Sequence, residues 1–580
     1  MNKSASQKNG SPSLAHIERW MPGVRTLRTY KSAWLTRDLV AGAVLCALLV
    51  PQGMAYAEIA GLPPITGLYT TVVCLMAYAA FGPSPYLILG PDSSLGPMIA
   101  AAILPLAAGN TEYAIALAGM LALIVSVICI SAGLARLGFV ADLISKPVRV
   151  GYLAGLAITI FIGQLPKLFG YSIEADGLIQ ELVVFLQNLN QTNPWTLAVG
   201  LLSLLIILGL KRWAPRIPGV LVAVVIAIAI TQLFDLAEKG VSTVGTLPQG
   251  FPLPSFPRVE LSALPLLIGT AFGISLVAVG DTISTSAGFA ARRGYEVDGD
   301  QEMVGIGSAN LLAGLFQGFP VSTSGSRTAV AEQSGAKTQL TGIVAAVLVL
   351  AMLLFVPGLV RNMPQSALAA IIIAASLSLF DLVELRRFWV VRKSEFVLAI
   401  VAILGVALVG VLEGIVIAVV ISVFQLFQRA WRPYAAVLGK VEGVPGYHDI
   451  TRYPNASQLP GLLMVRWEAT LFFANANLFR NGIRKLVART DPAPKWIIVT
   501  AESINDIDTT AGDMLVDLDL ELNAAGIHLV FAELKSSVKE KIEDYGLLET
   551  IDRRHFYPTI EVAVEEFQQI QAEQEVADQL

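Results

Sequence analysis

Hydroxyl side chains, a glycine and one arginine follow each other in the segment Phe319–Arg327, inside an otherwise apolar part of the chain. A short helix beginning near Gly325 would direct free backbone N–H groups and the positive end of its dipole into the protein. Arg327 would add a full charge at membrane depth, which is costly unless the charge is paired or used. These donors indicate an anion site. The structural alternative is that Arg327 pairs with Glu332 or Asp281.

A second interruption, Leu89–Gly96, also carries hydroxyl side chains. Pro91 fits the start of a helix, because the N–H that proline lacks would have no intrahelical acceptor there. Ser93 and Ser94 are predicted to cap that helix or to contact a ligand. Asp92 is predicted to be its N-cap. A carboxylate touching an anion would repel it unless protonated or bound to a cation, so Asp92 is assigned to ion coupling.

Asp281 lies in another apolar segment, and Thr285 falls one helical turn further on the same face. Carboxylate and hydroxyl oxygens suit a hard cation such as Na⁺, and a carboxylate at membrane depth can instead carry a proton. We therefore predict a coupling site, and a candidate Na⁺ site, at Asp281 and Thr285. The structural alternative is that Asp281 only neutralises Arg327.

Gln52 and Tyr56 follow Pro51 in the first apolar span, one helical turn apart. Pro51 and Gly53 predict a kinked helix whose polar side turns inward. The amide of Gln52 can donate a hydrogen bond to an oxyanion. Gln52 is therefore a candidate to bind an anion, with Tyr56 on the same inward-facing side.

Membrane-spanning segments must position these residues. The chain has 580 residues, of which 54% are hydrophobic and 15% charged, whereas soluble domains carry about 25% charged residues. Residues 37–430 form a series of apolar segments, and residues 431–575 have the mixed composition of a soluble domain. Residues 1–36 and 576–580 are predicted to be tails. We predict about fourteen segments, several of them too short to cross a bilayer alone.

The two interruptions fall in the third and about the tenth apolar segment. Short segments broken by Gly and Pro at matching places in two halves are typical of a midplane binding site between inverted repeats. The alternative is that Gly and Pro are simply common in membrane helices. The hydroxyl-rich runs at both interruptions favour the functional interpretation.

Basic residues cluster in every second loop, which sets the orientation in the membrane. These residues are Arg136, Lys146, Arg149, Lys211, Arg212, Arg216, Arg292, Arg293, Arg386, Arg387, Arg392 and Lys393. The connections between them, near 171–194 and 236–262, are poorer in Lys and Arg. Both termini are therefore predicted to be cytosolic. The compact loops and the lack of a cleavable signal favour the inner membrane of a bacterium.

Several classes of function are excluded because the sequence lacks the motifs that they need. It has no glycine-rich phosphate loop ending in lysine, and Cys46, Cys74 and Cys129 lack the spacing of metal ligands. The net charge of −5 gives no indication of nucleic acid as a partner. We predict a transporter of a small inorganic anion rather than an enzyme, with no catalytic residues and no cofactor other than a coupling Na⁺.

Short motifs along the chain resemble the SulP sulfate permeases. They are Pro51–Ala57, Ala60–Pro64, Gly67–Tyr69, Phe81–Gly82, Gly90–Pro91, Gly294–Asp298 and Lys337–Gly342. The resemblance extends over the whole chain after the N-terminal tail. It implies fourteen segments in a seven-plus-seven inverted repeat, divided into core and gate domains. It further implies an elevator-type movement of the core against the gate, and a homodimer.

The resemblance also implies that the anion sits between the half-helices of segments three and ten, near segment one. The matching residues of this chain are Gln52, Tyr56, Ser93, Ser94, Leu95, Gly325, Ser326 and Arg327.

Three positions depart from the family pattern. Asp92 stands where many members have a small apolar residue or Thr, Asp281 where sulfate-type members have Glu, and Ala287 where a Lys is common. The pair Asp281 and Thr285 is similar to the Na⁺ ligands of the bicarbonate-transporting branch. We predict sulfate transport coupled to Na⁺ or H⁺ first and Na⁺-dependent bicarbonate transport second. A C4-dicarboxylate transporter or an uncoupled chloride or anion channel is the third prediction.

Strand-like runs and a helical stretch alternate in the C-terminal part and predict an α/β layer fold. They are residues 462–465, 477–486, 496–500 and 527–532. Asp508, Thr509 and Thr510 resemble the strand-to-helix turn of STAS domains, where the residue at the place of Thr510 can be phosphorylated. The alternative is that Asp508 and Thr509 only cap a helix. We predict a cytosolic STAS domain with a regulatory turn that contacts a cytosolic partner.

Overall fold

The structure is a computed structural model that describes residue 18 and residues 20–138, 145–173, 177–214, 217–549 and 551–579. The chain divides into two compact units, Met1–Ser422 and Val423–Leu580. The first unit holds the apolar segments up to Ser422, which lies inside the last of them, and the second holds the rest of that segment and the sequence of mixed polarity.

The first half of the membrane unit is helical and contains one interruption with strand geometry. Its helices are α1 Pro22–Thr29, α2 Leu35–Ile59, α3 Pro64–Phe81, α4 Gly96–Ala107, α5 Thr111–Leu134, α6 Lys146–Phe169, α7 Leu178–Gln187, α8 Pro194–Trp213 and α9 Gly219–Leu233, with strand β1 Leu89–Gly90 before α4.

The second half repeats this plan. Its helices are α10 Leu264–Arg293, α11 Gly299–Leu315, α12 Gly325–Gln333, α13 Leu340–Phe355, α14 Gln365–Leu379, α15 Leu382–Val391, α16 Lys393–Leu404 and α17 Val411–Trp431, with strand β2 Ser322–Thr323 before α12. A π-helical turn, Gly405–Val409, lies between α16 and α17.

Seven of the described helices are long and apolar enough to cross a membrane by length and composition. The helices α4, α9 and α13 are shorter apolar helices, and α12 has 9 residues. With the two broken segments included, the described residues contain seven segments in each half: α2 to α6, α8 and α9, then α10 to α14, α16 and α17. The predicted seven-plus-seven architecture is confirmed.

The two interruptions meet each other in the fold. Strands β1 and β2 pair antiparallel, with Leu89 opposite Thr323 and Gly90 opposite Ser322. Backbone polar groups at membrane depth must be satisfied inside the protein, and this pairing satisfies those of the interrupted stretches. The half-helices α4 and α12 therefore both start beside the same strand pair.

The helices pack in two groups. The core group is α2 to α5 with α10 to α13, and the gate group is α6, α8, α9, α14 and α16. Within the core group α11 packs closely on α5 and α3, and within the gate group α14 packs on α6 and α8. The predicted division into core and gate thus has a counterpart in the packing.

The second unit contains a sheet with the strand order β4-β3-β5-β6-β7-β8. Its strands are β3 Ala435–Lys440, β4 Tyr447–Asp449, β5 Leu462–Trp467, β6 Trp496–Thr500, β7 His528–Ala532 and β8 Phe556–Tyr557, and its helices are α18 Ala476–Arg489, α19 Thr509–Ala524, α20 Ser536–Asp544 and α21 Ile560–Gln579. Strands β5 to β8 are parallel. The predicted α/β layer fold is confirmed, with the three predicted strands and the predicted helix in place.

Both faces of this sheet are covered, because successive residues of each strand point to opposite sides. Leu463, Ile497 and Leu529 belong to the core on one face, whereas Ile498 and Val530 belong to the core on the other. Helix α17 ends at Trp431 and β3 begins four residues later. Helix α21 continues through Gln579, so most of the predicted C-terminal tail is helical, and α1 lies within the predicted N-terminal tail.

Candidate functional site

A cavity of about 520 Å³ lies between the core group and the gate group. From the core group it is lined by Gln52, Tyr56, Asp92, Ser93, Ser94, Asp281, Thr285, Thr323, Ser324, Gly325 and Ser326. From the gate group it is lined mainly by apolar side chains of α6, α8, α9 and α14. The structure therefore brings both interruptions, α2 and α10 to one place, as predicted from residues far apart in the sequence.

The turn before α4 is held by Asp92. Its Oδ1 accepts hydrogen bonds from the backbone N–H of Ser94 at 3.0 Å and from the Ser94 hydroxyl at 2.7 Å. Helix α4 begins only at Gly96, with Leu95 in the N-cap position. The prediction that Asp92 is the N-cap of the half-helix is therefore wrong: the local polar pattern placed the helix start too early. Leu95 is fully buried and does not line the cavity.

The start of α12 lies on the other side of the strand pair. Ser324 is the N-cap, and its Oγ accepts from the N–H of Arg327 at 3.5 Å and lies 3.0 Å from the Ser326 Oγ. Gly325 and Ser326 line the cavity with the first N–H groups of the helix, which have no intrahelical acceptor. A side chain at Gly325 would touch Thr285 of α10, so the two helices approach closely here.

Arg327 itself is fully buried behind the cavity wall. Its Nη2 pairs with Asp92 Oδ2 at 3.4 Å, and Gly90 leaves room for Nη1, which a Cβ at that position would approach to 2.6 Å. The Nε and Nη1 atoms have no hydrogen-bond partner among the described residues. Arg327 thus pairs with neither of the two predicted alternative partners, Glu332 and Asp281. Glu332 pairs instead with Arg293 at 2.6 Å. The two interruptions are joined by an ion pair as well as by the strands.

Asp281 reaches the same turn from α10. The hydroxyl of Ser94 lies 3.4 Å from Asp281 Oδ2, so this hydroxyl stands between two carboxylates. Thr285 lines the cavity one turn further along. These oxygen donors are of the kind that a hard cation takes, although no group of three or more His, Cys, Asp or Glu among the described residues could hold a metal ion. Ala287 is exposed and does not line the cavity.

Gln52 and Tyr56 line the cavity from α2, on the turn after Pro51. Both are buried, and the Gln52 Oε1 has no hydrogen-bond partner among the described residues. A buried polar group without a partner is costly. Because Oε1 is an acceptor, only the amide N–H group of Gln52 could contact an anion. The roles predicted for these two residues stay predictions.

Two residues of this region escaped the sequence reasoning. Tyr152 of α6 donates a hydrogen bond from its hydroxyl to the Ser94 carbonyl at 2.9 Å and so joins the gate group to the turn before α4. Its apolar sequence surroundings gave no signal for this contact. Lys211 lines the cavity from the last turn of α8, whereas the sequence indicated only its place in a basic loop.

The predicted regulatory turn lies at the start of α19. Asp508 is the N-cap: its Oδ1 accepts from the Ala511 N–H at 2.8 Å and its Oδ2 from the Phe473 N–H at 2.8 Å. Thr509 and Thr510 are exposed in the first turn of the helix. The capping role of Asp508 is confirmed by these contacts, and the regulatory role of the two threonines stays a prediction.

Comparison with known proteins adds the family. The model of the sulfate permease family matches residues 35–403, and the model of the STAS domain matches residues 453–563. A probable sulfate transporter of Mycobacterium tuberculosis is 40% identical over 548 residues, which cover 94% of this chain and 98% of that one. The chloroplastic sulfate transporter 4.1 of Arabidopsis thaliana is 32% identical over 568 residues, which cover 95% of this chain and 82% of that one.

Solved structures share the fold. The murine solute carrier 26 family member A9 anion transporter in the inward-facing state aligns with a TM-score of 0.88 at 24% identity, over 98% of this chain and 96% of that one. The transmembrane domain of a cyanobacterium bicarbonate transporter aligns with a TM-score of 0.59 at 23% identity, over 68% of this chain and 97% of that one.

Proposed function

Because this chain belongs to the sulfate permease family and is an anion transporter of the membrane, we propose that it carries sulfate together with Na⁺ or H⁺. The observation that supports this most is the meeting of both half-helix starts with Asp281 at one cavity. The free N–H groups at a helix start favour an anion. Sulfate comes first because the two relatives described above are named as sulfate transporters.

The charges around the cavity support the coupling. Arg327 compensates Asp92, whereas Asp281 forms no ion pair within 4 Å among the described residues. A dianion entering the cavity would meet this carboxylate and be repelled. Binding of the anion is therefore favoured when Asp281 holds Na⁺ or a proton, with Thr285 and Ser94 as further oxygen ligands of the cation. No covalent bond changes in this process.

The packing supports an elevator-type movement. The anion donors belong to the core group, and the opposite wall belongs to the gate group. We propose that the core group carries the anion past the gate group, as the family resemblance implies. The hydrogen bond from Tyr152 to Ser94 crosses between the groups and has to break in each cycle.

Helix ends indicate which side the cavity faces. The cavity is lined by Lys211 at the end of α8, Gly219 at the start of α9 and Leu379 at the end of α14. All three helix ends adjoin basic loops. By the positive-inside rule these ends are cytosolic. We therefore propose an inward-facing conformation in a cell inner membrane, with both termini in the cytosol.

A second candidate function is Na⁺-dependent bicarbonate transport. It is favoured by one observation: Asp281 and Thr285 line the cavity from the same face of α10 and offer oxygen donors of the kind that Na⁺ takes. One Na⁺ would compensate one bicarbonate, so this transport would be electroneutral.

The assembly and regulation are also proposals. The family resemblance implies a homodimer. The exposed Thr509 and Thr510 at the start of α19 would meet a cytosolic partner of the STAS domain. A phosphate on Thr510 would lie at a helix N-terminus, where negative charge is stabilised.

The test is uptake of radiolabelled sulfate into proteoliposomes under Na⁺ and pH gradients imposed separately. We expect saturable uptake that requires one of the two gradients and is lost in empty liposomes. Competition with unlabelled bicarbonate, chloride and succinate ranks the anions. Accumulation of bicarbonate without sulfate would replace the first candidate by the second, and anion current without any cation gradient would indicate a channel instead.

A further inference from the structure

Lys211 has no role in the transport scheme above, although it lines the same cavity as Asp281, Thr285 and Ser326. It lies in the last turn of α8 and its side chain is exposed. Among the described residues that line the cavity it is the one basic side chain. It forms no ion pair within 4 Å in the part of the chain that the structure describes.

The two walls of the cavity differ in charge. The core wall carries Asp92 and Asp281. Arg327 lies behind that wall and pairs with Asp92. Arg149 of α6, which acts electrostatically on Asp281, does not line the cavity. The gate wall is otherwise built from apolar side chains and the hydroxyl of Ser378. An anion in the cavity therefore meets a single accessible positive side chain, and it comes from the gate.

A structural role for Lys211 has to be weighed first. Cations at a helix C-terminus interact favourably with the helix dipole, and lysines at membrane borders extend towards the headgroups. Both effects apply equally to Arg212, the next residue of the same turn. Arg212 does not line the cavity, whereas Lys211 does. The pair therefore provides a matched control within one helix turn.

We propose that Lys211 is a specificity-determining residue that attracts the anion from the gate wall and favours dianions over monoanions. The Coulomb energy is proportional to the charge of the anion, so the factor gained by a dianion is the square of the factor gained by a monoanion. Because Lys211 belongs to the gate group, this attraction acts only while the core group is next to it. Its effect is expected in the apparent affinity on this side and not in the maximal rate.

This proposal rests on the proposed function, because it assumes an anion in this cavity. The test compares Lys211→Gln, Lys211→Arg and Arg212→Gln in the full chain, purified in detergent. Sulfate, succinate and bicarbonate are titrated by thermal shift at low ionic strength and constant Na⁺. For a charge about 8 Å away in water, Lys211→Gln should weaken dianion binding about six-fold and bicarbonate binding about 2.4-fold.

The two controls should resemble the wild type. At about 1 M salt, where the Debye length is about 3 Å, the effect of Lys211→Gln should disappear. Equal weakening of dianions and bicarbonate, equal effects of Lys211→Gln and Arg212→Gln, or no effect of Lys211→Gln would each overturn the proposal. If the wild type does not bind sulfate, the proposed substrate fails. The comparison of succinate with bicarbonate then still decides the role of Lys211.

Discussion

Replacing Arg327 by methionine removes a fully buried guanidinium that pairs with Asp92 at 3.4 Å. Removing one partner of a buried ion pair costs about 3–5 kcal/mol, because the other charge is left without compensation. The side chain of Asp92 is 13% exposed towards the cavity, so water screens part of its charge. For Arg327→Met we therefore expect the lower end of this range, about 3 kcal/mol.

The complementary change, Asp92→Asn, should cost more. It leaves Arg327 charged with no exposure at all, and its Nε and Nη1 already have no partner among the described residues. We expect about 4–5 kcal/mol for this change. The double variant Asp92→Asn with Arg327→Met leaves no unpaired charge and should be more stable than either single variant. The coupling energy in the double-mutant cycle should reach at least about 2 kcal/mol.

Unfolding in mixed micelles with a rising fraction of dodecyl sulfate, followed by tryptophan fluorescence, measures these stabilities. Sulfate titration of the same proteins separates stability from binding. If Arg327 supplies positive charge to the site, Arg327→Met should bind sulfate at least about tenfold more weakly than the wild type, whereas the double variant, which removes no net charge, should bind it more tightly than Arg327→Met. A single variant as stable as the wild type would refute the ion pair as a structural element. Unchanged sulfate affinity in Arg327→Met would remove Arg327 from the anion site.

Three further predictions concern the coupling, the movement and the soluble unit. Asp281→Asn should leave sulfate binding measurable but abolish the dependence of uptake on the Na⁺ or pH gradient. Uptake into proteoliposomes with each gradient imposed alone measures this, and full gradient dependence would contradict the coupling role. Tyr152→Phe removes a hydrogen bond to Ser94 of about 1 kcal/mol. It should change the maximal exchange rate severalfold with little change in thermal stability. An unchanged rate would show that this contact does not limit the movement. Burial raises the pKa of Asp519 to about 6, whereas in the unfolded chain this carboxyl ionises at its usual pKa of about 4. The stability of α19 should therefore fall as pH rises from about 4 to 6. Asp519→Asn should remove this loss and, with allowance for solvent screening, stabilise α19 by about 1–2 kcal/mol at pH 8 and not at pH 4. Hydrogen exchange of both proteins at each pH measures this, and equal exchange at pH 8 would contradict it.

The membrane architecture was predictable mostly where hydropathy is strong. Helix α13 is an apolar run without a charged residue, and hydropathy alone predicts it. Helix α12 is different, because its 9 residues include Arg327 and Glu332 and no hydropathy window would select it. It was predicted from the glycine and proline interruption and its counterpart in the first half. Helix α1, inside the predicted tail, gave no comparable signal.

The contacts of the site were less predictable than its members. Capping rules consider only neighbouring residues and therefore predict Asp92 to be a helix cap, whereas its partner Arg327 is 235 positions away in the sequence. The same limit applies to Tyr152, because its hydrogen bond goes to the carbonyl of Ser94, which is far away in the sequence. Ala287, a departure from the family pattern, proved to be exposed and away from the cavity. Sequence patterns identified polar residues at unusual places, and only the fold decided which of them meet.

Ser94 offers a physical route from the coupling ion to the anion site. Its hydroxyl carries one proton and lies 2.7 Å from Asp92 and 3.4 Å from Asp281, so it can donate to one carboxylate at a time. When Asp281 holds a cation or a proton, the hydroxyl is left to Asp92, and its lone pairs can face the cation. In the proposed cycle this would strengthen the hydrogen bonds that hold the turn before α4, from which Ser93 and Ser94 line the cavity. Without the cation, the hydroxyl is drawn towards Asp281 and the turn is held less firmly. If Asp281 is the coupling site, as we propose, its occupancy would therefore order the cavity wall at Ser93 and Ser94 through a single side chain.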